Sequence, residues 1–137
     1  MKLNMRNEQD MAYSFSKSVD MSFDATVEKV TAELQKEGFG VLTTIDVKET
    51  LKKKLNVDFK KYKILGACNP PFAHTVLQAD EEIGLFLPCN VVVYERDGQS
   101  VVAAFNPMAM AGMVENPAVG SIAAEVKQRL ERVVAAV

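Results

Sequence analysis

"LFLPCNVVVYERDGQSVVAAF", residues 85–105, decides the fold. Asp97-Gly98 is a two-residue hairpin signal, because the central residues of such a turn need positive φ and this pair tolerates it. The flanking runs, 85–96 and 100–105, are rich in β-branched and aromatic residues and read as antiparallel strands. The turn length sets the register: Arg96 faces Gln99, Tyr94 faces Val101, Val92 faces Ala103 and Asn90 faces Phe105. Cys89 then lies across from Asn106. Alternation puts Val91, Val93, Val102 and Ala104 on one face and Val92, Tyr94, Val101, Ala103 and Phe105 on the other. Both faces are largely apolar, whereas a free antiparallel sheet normally keeps one polar face. Helices can cover one face, and a second subunit is the simplest cover for the other, so a homodimer is expected.

Outward from the hairpin, residues 1–10 read as an N-terminal arm and 11–137 as a single domain. Residues 12–19 alternate serine with larger side chains, as a half-buried strand does. Ser22 and Asp24 start a helix over Phe23, Val27, Val30 and Leu34, which stops at Gly38 and Gly40. Residues 40–47 form the next strand. Asp46 and Glu49 open a short helix to Leu55, and Asn56 suits its left-handed exit. A third strand spans 61–68. Asn69-Pro70 and Asn116-Pro117 both combine an N-cap with a first-turn proline. The first opens a helix over Phe72, Val76 and Leu77, and the second opens the last helix, whose apolar face carries Val119, Ile122, Val126, Leu130, Val133 and Val134. This order of elements is α+β, with a mainly antiparallel sheet of about five strands.

Composition narrows the function. The 137 residues are 48% hydrophobic and 25% charged, with a net charge of −2, which favours neither nucleic acid nor an acidic membrane. Seven lysines fall between Lys48 and Lys63, but only Phe59 and Tyr62 accompany them, so a solvated helix face is the expected reading. No run of about 18 apolar residues is present and the polar N-terminus lacks a signal-peptide core. With two cysteines and no disulfide framework, a reduced, cytoplasmic protein is expected. Phosphate-binding glycine loops and the G-x-S-x-G elbow are missing from the sequence.

The two cysteines lie in similar settings, "ACNPPFAHTV" at 67–76 and "LPCNVVVY" at 87–94. One reading is ordinary: a cysteine in a strand is a small buried hydrophobe, with Asn69 and Asn90 as cap and turn residues. The other is a thiol site made by Cys68, Asn69, Cys89 and Asn90. His74, the only histidine, could complete a Cys2His metal set with Cys68 and Cys89 or act as base to a thiolate. Met108, Met110 and Met113 follow the strand that returns beside Cys89, and the loop 106–113 is expected to close over that end. Thioethers with thiolates suit a soft metal such as copper, and zinc is the other candidate; methionine equally lines apolar pockets.

"EGFGVLTTIDVKETLKKKLNVDFKKYKILGACNP", "IGLFLPCNVVVYERDG" and "SFDATVEKV" resemble domain-of-unknown-function family three hundred and two of bacteria and archaea, over about Met11 to Val137. The resemblance implies a TATA-binding-protein-like fold: one curved sheet with helices packed on one side, often as a dimer. Cys68, Asn69, Pro70, Pro88, Cys89 and Asn90 fall at the family's distinctive positions, but it brings no catalytic residue with it. The functional expectation is a dimeric binding module for a small ligand or a soft metal ion near the two Cys-Asn segments. The alternative is a thiol-dependent enzyme or redox protein using Cys68 or Cys89.

Overall fold

The computed structural model describes residues 13–137, so the expected arm at 1–10 lies outside the described residues. The elements are β1 (Ser14–Val19), α1 (Phe23–Lys36), β2 (Gly40–Asp46), α2 (Val47–Leu55), β3 (Tyr62–Cys68), α3 (Pro70–Ala79), a 3-10 turn (Glu81–Phe86), β4 (Cys89–Arg96), β5 (Gln99–Phe105), α4 (Met108–Ala111) and α5 (Pro117–Ala136). The strands form one antiparallel sheet in the order β1-β5-β4-β3-β2, an α+β fold.

The β4–β5 hairpin has the register its turn dictates, from Arg96 opposite Gln99 through Tyr94–Val101 and Val92–Ala103 to Val91–Ala104. The ladder ends there, and the Asn106 N–H donates to the Tyr13 carbonyl at 2.8 Å. Asp97 and Gly98 both have positive φ, 51° and 78°, as the turn demands. Val91, Val93, Val102 and Ala104 face α1 and α5, joined by Phe15, Leu65 and Ala67 from the neighbouring strands. Val30 and Leu34 of α1 and Val126, Leu130, Val133 and Val134 of α5 complete this core. On the opposite face Val101 is buried while Val92, Tyr94 and Phe105 are half-buried.

Four of the five helices, α4 excepted, start where the N-cap side chain satisfies an otherwise unpaired backbone N–H. Ser22 accepts from Ala25, Asp46 from Glu49, Asn69 from Phe72 and Asn116 from Ala118. Asn56 ends α2 with φ of 54°. The carboxylate of Glu49 reaches Lys53.

Two local features differ from the sequence expectation. Residues 85–88 are not strand: Asp80 accepts from the Glu82 N–H and starts the 3-10 turn, whose end is closed by the Leu87 N–H on the Gly84 carbonyl. Pro88 has no N–H to give a ladder, so β4 begins at Cys89. In β2 the register shifts between Val41 and Thr43. That bulge leaves Leu42 67% exposed, an outcome that strict alternation does not foresee.

Gly66 is the tightest glycine of the sheet. A Cβ at this position would run into the Thr43 side chain and come within 2.8 Å of Pro88 Cγ. Overpacking of this kind costs about 1–3 kcal/mol. Gly66→Ala is therefore expected to lower the unfolding free energy by that amount, read as a lower urea midpoint at unchanged m, and Thr43→Ala in the same chain to recover part of it. Unchanged stability of Gly66→Ala would show that β2 can move aside.

Candidate functional site

The Cys68-Asn69-Pro70 segment is a strand-to-helix junction. β3 ends at Cys68, Asn69 caps α3, and Pro70 occupies its first turn, where no N–H is needed. Pro88-Cys89-Asn90 is instead the start of a strand. The junctions meet because Ala67 pairs with Cys89, so the two cysteines sit on adjacent strands at one end of the sheet. Neither is in a disulfide and both are half-buried.

A pocket of about 40 Å3 opens at this end, between β3, β4, α3, α4 and α5. Its walls are almost wholly apolar, with Phe72, Val76, Ile83, Met110, Val119 and Ile122 among them. Cys68, Asn69 and Cys89 border the same space. The volume is about a quarter of the ~150 Å3 apolar cavity that holds benzene. Above it, the Arg129 guanidinium lies 5.0 Å from the Phe72 ring centroid. Arg129 also donates to the Glu37 carbonyl and to the Glu125 carboxylate, each at 2.9 Å, and so ties α5 to the end of α1.

The sequence candidates divide. Cys68, Asn69, Cys89 and Met110 come together around the pocket. Met110 is buried, as α4 turns it inward, whereas Met113 is 73% exposed and Met108, half-buried, does not border the pocket. Asn90 lies on the other face of the sheet, beside an open trough of about 440 Å3 that Tyr62, Val92 and Tyr94 also line. His74 is exposed. Two helical residues turn a side chain by about 200°, so with Phe72 and Val76 facing the pocket His74 points away from it. The Cys68, Cys89 and His74 metal set is corrected on this ground: among the described residues no group of three or more His, Cys, Asp or Glu side chains could hold a metal ion.

Sequence reasoning missed Phe39, Ile83 and Arg129. Val119 and Ile122 were legible as the apolar stripe of α5, but a stripe does not say which of its turns faces a void. For Arg129 a partial signal exists in its spacing of four from Glu125, the geometry of a helical ion pair.

Burial sets the chemistry of the thiols. Burial raises the Cys68 pKa above its ordinary value. The Cys89 thiol is pushed up to about 11, by burial first and by the neighbouring charge of Cys68 second. Both are therefore protonated at neutral pH, unlike the thiolate of a reactive cysteine.

The fold and pocket define a small single-sheet α+β domain with an apolar, thiol-bordered pocket at one end of its strands. The chain belongs to the family described as Domain of unknown function DUF302, whose profile matches residues 15–137. A solved relative, described as an uncharacterized conserved protein DUF302 from Bacillus stearothermophilus, is 35% identical, with a TM-score of 0.83 over 90% of this chain and 96% of its own. No curated protein matches the chain. Among the described residues no helix is long and apolar enough to cross a membrane.

The raised Cys89 pKa has a stability consequence. The folded state holds its proton up to about 11, while an ordinary thiol loses it near 9.0. Burial of the neutral thiol thus contributes its full stability below pH 9.0 and loses it as pH rises towards 11. The loss is of order 2 kcal/mol over that window. Urea titrations of wild type and Cys89→Ala at pH 8 and about pH 10.5 are expected to show the wild type losing more stability than the variant. Equal losses would show that Cys89 titrates as in water.

Proposed function

We propose that this protein is a binding module whose site is the pocket at the Cys68–Cys89 end of the sheet and whose occupant is one small apolar ligand of a few heavy atoms. The observation that carries the reading is the lining: side chains from six elements, β3, α3, the 3-10 turn, β4, α4 and α5, converge on an unfilled space with almost no polar wall. Natural cores close such voids to native density. Its size argues against a drug-sized ligand, which needs roughly 300–1,000 Å3. The neutral thiols and the Met110 thioether suit an apolar occupant, because polarizable sulfur packs well against it.

A soft cation such as Cu(I) is the second reading, favoured by three sulfur-bearing residues, Cys68, Cys89 and Met110, around one pocket. Alternation counts against it. Cys68 follows Ala67, the residue paired with Cys89, and so leaves the face that Ala67 and Cys89 share. The thiol-enzyme alternative is weaker still, because burial holds both thiols protonated.

Xenon titration followed by methyl NMR tests the apolar reading. Shifts confined to Val76, Met110, Val119 and Ile122 are expected, with Met110→Ala binding larger probes such as benzene. Shifts spread over the surface, or none in either protein, would overturn it. Anaerobic Cu(I) loading with metal analysis separates the second reading: uptake lost in Cys89→Ser would support it, and background uptake in both proteins would end it.

We further propose a homodimer through the outer face of the sheet, where Val92 and Phe105 are half-buried beside the open trough. Light scattering of the wild type at micromolar concentration is expected to give a dimer, and of Val92→Glu a folded monomer. A wild-type monomer would remove the outer face as an interface.

A further inference from the structure

Besides Tyr13 and the β2 residues Leu42 and Ile45, the exposed large apolar side chains of the described residues form two groups, one at each end of the strands. At one end, α2 and the chain to β3 border an open basin of about 510 Å3 lined by Val57 and Phe59, by Lys48, Lys52 and Lys53, and by the carboxylates of Asp46, Glu49 and Asp58. Val57 and Phe59 are exposed there, and Leu55 beside them is 65% exposed. No residue of α2 is buried. Residues 46–63 carry seven lysines against Asp46, Glu49 and Asp58, a net +4 in a chain whose total is −2. At the other end a basin of about 410 Å3 lies between the 3-10 turn and the α4–α5 connection. Its exposed apolar residues are Leu85 and Met113, 84% and 73% exposed. Its charged residues are Asp80, Glu82 and Glu115, with Glu81 alongside, and no lysine or arginine occurs in 80–86 or 113–116.

The first basin's own lysines and carboxylates balance, and the +4 of its segment comes from Lys54, Lys60, Lys61 and Lys63 around it, whereas the second basin is bordered by carboxylates alone, so the two surroundings have opposite sign. They cannot meet inside one copy. β3 runs from the lysine end at Tyr62 to the pocket end at Cys68, six steps or roughly 20 Å of extended strand. We propose that a second copy of this chain docks head to tail, its Leu85–Met113 basin on the Val57–Phe59 basin of the first. Apolar contact supplies the attraction, and the opposed surroundings supply orientation and encounter rate. The exposed pairs already made by Lys52 with Asp58 and Lys53 with Glu49 exchange readily for partner carboxylates, since such surface pairs hold weakly. Lys54, Lys60 and Lys61 have no ion pair among the described residues. A contact of this kind is heterologous, so it adds copies in sequence unless a ring closes. It differs from the outer-face dimer in being charge-guided and therefore salt-sensitive.

Sedimentation velocity across concentration and ionic strength tests this. The wild type is expected to gain mass with concentration at about 20 mM salt and to return to a smaller limiting particle at about 0.5 M salt, where the Debye length falls well below 10 Å. Lys54→Glu/Lys60→Glu/Lys61→Glu, and separately Glu81→Lys/Glu82→Lys/Glu115→Lys, should each stay at that limiting particle at low salt. Mixing the two should restore association, because each then supplies the intact basin the other lacks. Glutamine in place of each reversed charge gives a second pair of variants should a reversal disturb folding, and each is expected to associate at least tenfold more weakly than wild type. Wild-type mass that is flat across salt and concentration would overturn the proposal, as would reversed variants that associate like wild type. Flat mass together with binding of the wild type to phosphatidylserine vesicles would also overturn it, assigning the lysine end to an anionic membrane.

Discussion

The two-residue turn at Asp97-Gly98 is the constraint from which the other elements take their places. It leaves no freedom in how β4 meets β5, so Val91, Val93, Val102 and Ala104 must share a face. All four are at most 1% exposed. These side chains are short or β-branched, so α1 and α5 can approach the sheet closely and fill the layer with Leu34 and Leu130. β1 and β3 then add to the two free hairpin edges, on β5 and β4 respectively, and carry Phe15, Leu65 and Ala67 onto the same layer. A slip of one residue in the turn would invert the hairpin and put Tyr94 where Val93 now packs.

The pocket follows from what happens at the far end of that hairpin. Three chain reversals crowd the Cys89 end: β3 into α3, the 3-10 turn into β4, and β5 into α4. Each satisfies its own local backbone: Asn69 caps α3, the Leu87 N–H closes the 3-10 turn on the Gly84 carbonyl, and Asn106 accepts from the Met108 N–H at 3.0 Å. The reversals therefore hold their shape without needing to pack tightly on one another. Small side chains at the centre, Ala67, Ala73 and Ala123, leave the space that larger residues would fill. Arg129 bridges the rim and holds α5 to the α1 exit, so the helices cannot simply collapse onto the void.

The fold was legible where a local rule has only one solution. The hairpin register, the four helix starts and the Asn56 exit are of that kind, because turn and cap chemistry involves residues within a few positions of each other. The 3-10 turn at 81–86 was not, because Leu85, Phe86 and Leu87 satisfy strand propensity equally well and only the Asp80 cap and Pro88 decide against it. The bulge at Leu42 has no signal, since Thr43 and Thr44 fit either face. For the candidate site, the pairing of Ala67 with Cys89 could be anticipated as strands meeting at one end of the sheet. The direction of His74 could not be, because it depends on which side of α3 meets the sheet. Met110 and Met113 are three residues apart in sequence and opposite in burial for the same reason: α4 is one short turn, and its length decides which thioether ends inside.

Apolar residues on both hairpin faces suggested a surface in need of a cover, and part of that cover comes from within the chain. Tyr62 stacks on Tyr94 with ring centroids 5.2 Å apart, while Lys60 and Arg96 reach over the Tyr94 ring at 4.8 and 5.3 Å. Long side chains of this sort lay their stems on apolar surface and keep their charges in water, so a sheet face can be partly sheltered without a second layer. The same device is missing at the strand ends. There the chain is turning, its side chains diverge, and no neighbouring strand offers a long residue to fold across Leu55 or Leu85, which remain 65% and 84% exposed. The apolar surface left over after folding thus lies in part on edge strand β2, where Leu42 and Ile45 stay exposed, and in part at the ends, where segments of opposite net charge flank it.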